Sequence, residues 1–251
     1  MKNIFITIIF LGSLLPVLNA QTVDPNFHIY VLAGQSNMAG RGKTDSISKV
    51  VNPRILMLDK SNNWVPATDP LHFDKPEIVG VGPGIFFAKK MLAGNDSIKI
   101  GLVPCAWGGS PIRVWEPDSA YLTGHPFDDA VKRTLIAMQS GVLKGILWHQ
   151  GESDNNTQAA ALYMNRFKTL LEKFRAAFHN ITLPCVVGEI GRFNKNIVIN
   201  KVLNRVPYVI SNTAIVSSEG LKDKGDSLHF DTPSARELGY RYAIAMKRLL
   251  L

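Results

Sequence analysis

The sequence predicts an α/β fold, a parallel sheet covered by helices on both faces. Three observations predict it. Short apolar runs rich in β-branched residues recur along the chain, and amphipathic helical segments separate them. The 251 residues, 46% hydrophobic and 19% charged, suit a single domain of this class. With 20 Gly and 14 Pro the composition is not low-complexity, and two cysteines cannot staple so long a chain. No internal repeat is present.

Residues 1–20 stand apart. Lys2 gives a short positive end, Ile4 to Leu18 form an apolar run, and Leu18-Asn19-Ala20 offers a small-residue cleavage point. The run is too short to span a bilayer and reads as a secretory signal peptide, with no cysteine after it for a lipid anchor. Residues 21–251 are then one secreted or periplasmic domain, free of the membrane after cleavage.

Phe27 to Ala33 is the first strand, stopped by Gly34. Arg41 to Gly82, with Pro53, Pro66, Pro70 and Pro76, reads as irregular chain wrapping the surface. Pro83 to Leu92 is a helix opened by proline in its first turn and stopped by Gly94. Ile98 to Val103 and Gly145 to Trp148 are the second and third strands. Tyr163, Phe167, Leu170, Leu171, Phe174 and Phe178 line one face of a long helix. Pro184 to Val187 and Thr213 to Ser217 complete five strands. The last helix follows Thr232-Pro233, with Ser234 and Glu237 spaced as a capping box and Leu238, Tyr242, Ala245 and Leu249 as its buried stripe.

The formal charge is +8, and removal of residues 1–20 takes away only one lysine. The basic residues are scattered, with no basic stripe or nucleic-acid motif, so nucleic acid is excluded as a partner. A mild attraction to acidic glycans or surfaces is all the charge supports.

Ligands of parallel sheets bind at the carboxyl ends of the strands. There the sequence places Gly34-Gln35-Ser36-Asn37, Cys105 to Ser110, and His149-Gln150-Gly151-Glu152-Ser153-Asp154, with Asp226-Ser227-Leu228-His229 just before the final helix. A serine hydroxyl needs a base to become a nucleophile, and by itself Ser36 reads first as a helix cap. Asp226 and His229, three apart, can form a carboxylate–imidazole pair that leaves the second ring nitrogen outward as that base. The same pair could be a surface turn or, with Asp231, part of a metal site. Gly108-Gly109 lets a backbone N–H approach a developing oxyanion, and Gln150 can add a side-chain amide. Glu152 is a second carboxylate able to reach the imidazole, or to brace the Gln150 loop. His149 and Trp148 read as packing residues. Arg113 reads as a salt-bridge residue or a holder of a substrate carboxylate or hydroxyl.

The ordered set Gly34-Gln-Ser-Asn-Met-Ala-Gly40, Gly101 to Ser110, Trp148-His-Gln-Gly-Glu-Ser-Asp154 and Asp226-Ser-Leu-His229 resembles the four blocks of the sialate O-acetylesterase-like branch of SGNH hydrolases. That branch includes the acetylxylan esterases of carbohydrate esterase family six. The resemblance runs from about Phe27 to the C-terminus. It implies a three-layer α/β/α sandwich on a flavodoxin-like parallel five-stranded sheet. It also implies an exported serine-dependent carbohydrate O-acetyl esterase, acting on acetylated carbohydrate without metal or organic cofactor. Carried over, Ser36 is the nucleophile, His229 the base and Asp226 its partner. The oxyanion hole is formed by the Ser36 and Gly109 N–H groups with Gln150, and Gly108 is the alternative glycine. Where the founding pattern has Gly-Asp-Ser and Asn, this chain has Gln35 and Gln150. Size favours acetylxylan as substrate, with sialate as the alternative. A metal-dependent deacetylase and a non-catalytic glycan-binding protein are the competitors from other classes. Trp107 and Trp115 flank the glycine loop and could stack on sugar or pack. In strand order 2-1-3-4-5, Cys105 and Cys185 have two strands between them and lie about 14 Å apart, beyond disulfide reach, so both are expected as free thiols.

Overall fold

At the centre of the sheet lies β1 (Asp24–Gly34), and its side chains alternate between two cores. Ile29, Val31 and Ala33 face one, and Tyr30 and Leu32 the other, the period of two that a strand imposes. The structure is a computed structural model describing residues 22–193 and 197–251. The predicted signal peptide at residues 1–20 lies outside the described residues.

The other predicted strands are β4 (Lys99–Pro104), β5 (Gly141–His149), β6 (Cys185–Gly188) and β7 (Thr213–Val216). They stand in the order β4-β1-β5-β6-β7, all parallel, as expected. The sheet nevertheless has seven strands, not five. The segment read as irregular adds β2 (Ile55–Leu58), parallel to β4, and β3 (Trp64–Pro66), antiparallel to β2 at the edge. The apolar run of β2 is as long as β6 or β7 but is hidden among the prolines of this segment, whereas the three residues of β3 are too short to display a period, and Pro66 is tolerated because β3 is an edge strand.

Against the first core face lie α3 (Pro126–Met138), α4 (Thr157–Ala177), α5 (Ile199–Leu203) and α6 (Val206–Val209). The opposite face carries α2 (Gly84–Leu92) and α7 (Thr232–Leu249), together with the four-residue α1 (Ser36–Ala39). The three layers match the expected class. The sequence pattern does not announce α3, since its buried stripe is Phe127, Ala130, Thr134 and Ala137, mostly small residues. At α7 the expected Ser234–Glu237 box gives way to Asp231, whose Oδ1 accepts the Ser234 N–H at 2.8 Å. Ser234 Oγ instead accepts the Lys222 N–H at 2.8 Å, tying the preceding loop to the helix. Cys105 and Cys185 are buried and unpaired.

Candidate active site

The site grows from the place where β1 ends. Gly34 has φ +126°, and a Cβ there would lie 2.1 Å from the His149 carbonyl, so only glycine lets β1 and β5 finish this close. The Gln35 N–H donates to that same carbonyl at 2.9 Å. The chain then turns into α1 at Ser36, whose N–H precedes any helical acceptor. Ser36 is 6% exposed, an unusual depth for a serine unless its hydroxyl is held.

What holds it arrives from the loop before α7. Asp223 and Phe230 pair as an antiparallel bridge, and the Lys224 N–H donates to the His229 carbonyl at 2.9 Å. At the tip Ser227 takes φ +55°, with Asp223 Oδ2 accepting the Ser227 and Gly225 N–H groups. Phe230 is buried edge-on against His149 and Phe193, which anchors the loop that carries His229. Asp226 Oδ1 accepts the Leu228 and His229 N–H groups at 3.0 and 2.8 Å, and its Oδ2 lies 2.7 Å from His229 Nδ1. His229 Nε2 lies 3.0 Å from Ser36 Oγ. The carboxylate fixes the proton on Nδ1, leaving Nε2 to accept from the serine. The three residues expected to act together are therefore in contact.

Electrostatics suit a base. Burial pulls the His229 pKa below 6.5, outweighing the Asp226 carboxylate, so the ring is neutral at pH 7. Burial opposes ionisation of Asp226, but the His229 and Leu228 N–H groups and the imidazole outweigh it and hold the carboxyl well below its usual range. Lys224 Nζ, 3.5 Å from Asp226 Oδ2, adds to the same side.

The two glycines of the neighbouring loop differ. The Gly108 N–H is spent on Asp74 Oδ2 at 2.8 Å, and that oxygen also takes Arg41 Nη2 at 2.6 Å in a buried ion pair. A Cβ on Gly108 would meet both partners at 2.5 Å. Gly109, at φ +81°, has no acceptor for its N–H among the described residues. Ser36, Gly109 and His229 line one cavity of about 280 Å³.

Gln150 departs from expectation. It is fully buried, and its Nε2 donates to Asp154 Oδ2 at 2.6 Å and to Gln35 Oε1 and Ser110 O at 3.1 Å. It does not line the cavity, because Asp154, four residues on, captures its amide. Gln150 ties the ends of three strands together instead of facing the site.

Glu152 takes its bracing role and not the acid role. It makes no hydrogen bond to His229, and its Oε1 accepts Asn37 Nδ2 at 2.5 Å. The Asn37 side chain in turn brackets the base, with Nδ2 donating to Leu228 O at 3.1 Å and Oδ1 accepting the Phe230 N–H at 3.1 Å. Burial raises the Glu152 pKa from 4.5 to about 7, against the Asn37 amide, and drops that of His149 to about 3. His149 Nδ1 meets the Tyr242 hydroxyl at 3.0 Å, a packing role as expected. Asn37 was missed in the sequence; its only signal is its place beside Ser36. Trp115 is 1% exposed and packs on Trp148, so it cannot stack on a sugar. Trp107 lines a different cavity, with His72 and Arg133. Asp231, third member of the metal alternative, is occupied as the α7 cap. Among the described residues no group of three His, Cys, Asp or Glu could hold a metal.

Comparison with known proteins gives the family. Residues 26–248 match the family of carbohydrate esterases described as sialic acid-specific acetylesterase. The chain belongs to this family. A probable carbohydrate esterase of Arabidopsis thaliana is 36% identical over 245 residues, covering 89% of this chain and 91% of that one. An Arabidopsis thaliana crystal structure superposes with TM-score 0.79 at 34% identity, covering 91% of this chain and all of that one. Human sialate O-acetylesterase is 30% identical over 133 residues, 43% of this chain but only 25% of its own length. The crystal structure of NanS shares the fold at TM-score 0.73 and 20% identity, covering 90% of this chain and 98% of that one. As a member of this esterase family the protein is an ester hydrolase acting on acetylated carbohydrate.

Proposed function

We propose that this esterase releases acetate from an acetylated polysaccharide, most readily acetylxylan, by a Ser36–His229–Asp226 mechanism, and that it is exported through residues 1–20. The observation that carries the mechanism is the relay itself, 3.0 Å from Ser36 Oγ to His229 Nε2 and 2.7 Å from Nδ1 to Asp226. His229 takes the Ser36 proton as Oγ attacks the acetyl carbonyl. The Ser36 and Gly109 N–H groups receive the oxyanion as donors fixed in place before the reaction. His229 then protonates the departing sugar oxygen, leaving acetyl on Ser36. Water, activated by the same imidazole, releases acetate and restores the serine. Asp226 stays ionised throughout and stabilises the imidazolium formed in each half-reaction.

Size and coverage support the acetylxylan-type reading within the family, and with it a place in the family-six branch. The chain spans 91% of the Arabidopsis relative and only a quarter of the human sialate esterase. A sialate ester is the second reading, favoured by the description of the matched family. The test is acetate release by residues 21–251 across acetylated xylan, acetylated pectin and O-acetyl sialosides, with Ser36→Ala in parallel. Greatest kcat/KM on xylan is expected, and none of it in Ser36→Ala. Preference for the sialoside overturns the xylan reading, and turnover by Ser36→Ala overturns the mechanism.

A further inference from the structure

Beside the Ser36 cavity runs a second hollow of about 570 Å³. The two share Gly109 and Ser153 as walls, so the second hollow adjoins the place of an acetyl group over Ser36. Arg113 and Arg166 line this second hollow, and neither guanidinium has a hydrogen bond or ion pair among the described residues. By contrast Arg133 and Arg175 are spent on carbonyls and Arg236 and Arg241 on carboxylates. The only carboxylate in the lining, Asp154, is 2% exposed and has Oδ2 committed to Gln150 Nε2 and the Ile112 N–H. The start of the 21-residue α4 opens on the same hollow through Asn156 and Gln158, adding the positive end of its dipole. Leu162, 51% exposed, supplies an apolar wall of the kind a sugar face covers. Across the Ser36 cavity, Lys75 is likewise without an ion pair among the described residues.

We propose that this hollow is a subsite for a carboxylate carried by the glycan, gripped by Arg113 and Arg166. The proposal rests on the esterase reading above and adds a charge requirement to it. A planar guanidinium binds carboxylate through paired hydrogen bonds, and two of them flanking a groove select an acidic saccharide over a neutral one of the same shape. The carboxylate comes either from a uronic acid branch near the acetylated sugar or from the acetylated sugar itself.

Two matched substrate pairs test this. One is acetylated xylo-oligosaccharide with and without a glucuronate branch; the other is an O-acetyl sialoside with its carboxylate free or converted to the amide. In one pair the carboxylate member is expected to be favoured about tenfold in kcat/KM, through KM, and the pair that responds names the source. The advantage is expected to shrink from about 20 to about 500 mM NaCl, a readout that needs no variant. Arg113→Gln combined with Arg166→Gln is expected to erase it while the thermal midpoint stays in place. Equal rates within both pairs, or an advantage that survives the double substitution, overturns the subsite and leaves the esterase intact. Acetate release from none of the four substrates overturns the esterase reading and the subsite with it.

Discussion

Replacing Glu152 by Gln separates a bracing residue from a working acid. The carboxyl is buried against the Asn37 amide, and burial raises its pKa from 4.5 to about 7. A folded-state pKa above the unfolded one means that the folded protein holds a proton which the unfolded chain releases. Stability from this group is complete below pH 4.5 and lost as pH rises through about 7. At about 1.36 kcal/mol per pH unit, the loss comes to about 3 kcal/mol. Gln keeps the oxygen that Asn37 donates to and never ionises. Urea denaturation at pH 5 and pH 8 is therefore expected to show wild type and Glu152→Gln close together at pH 5, and the variant more stable by about 3 kcal/mol at pH 8. Hydrolysis of 4-nitrophenyl acetate by the variant is expected to stay within about threefold of wild type, because Glu152 does not touch His229. A stability gap that is constant or widens toward acid would mean that Glu152 is folded as an anion. A rate loss approaching that of Asp226→Asn would return Glu152 to the acid role.

Asp226→Asn removes the acceptor that fixes the His229 tautomer, and kcat is expected to fall about 10³–10⁴-fold; activity above a tenth of wild type would refute its role. Asn37→Ala strips the bracket from Leu228 O and the Phe230 N–H and takes the amide donor from Glu152 Oε1. Stability is expected to drop about 2–4 kcal/mol and kcat about 10²-fold as the imidazole loses its placement, measured by urea denaturation and ester hydrolysis. The acid limb of kcat/KM is expected to have its midpoint below pH 6.5, since His229 must be neutral to accept the Ser36 proton and burial depresses its pKa. A midpoint above 7 would contradict that environment.

How much of this was legible in the sequence follows from the range of the interactions. Five strands announced themselves through apolar runs, whereas the equally apolar Ile55–Leu58 of β2 was masked by the prolines around it and β3, three residues ending in Pro66, carries no pattern at all. Asp226 and His229 were legible because three residues close one local turn. Ser36 was legible because β1 ends in a glycine just before it. The Asn37–Glu152 contact joins residues 115 apart, and Arg41–Asp74 joins residues 33 apart, so only folding brings either pair together. Gln150 was misread for a local reason: Asp154, four residues on, competes for the same amide. Gly108 and Gly109 looked alike until Asp74 claimed one N–H and left the other.

The activation of Ser36 is tested most directly by covalent labelling. Residues 21–251 are treated with a serine-directed organophosphonate, digested, and mapped by mass spectrometry while residual esterase activity is followed. Activity is expected to fall in proportion to a single adduct on the peptide that carries Ser36, with no adduct in Ser36→Ala and a strongly slowed one in His229→Ala. Full inactivation with the adduct on another serine, or full labelling of Ser36 with activity retained, would contradict the assignment of Ser36 as nucleophile.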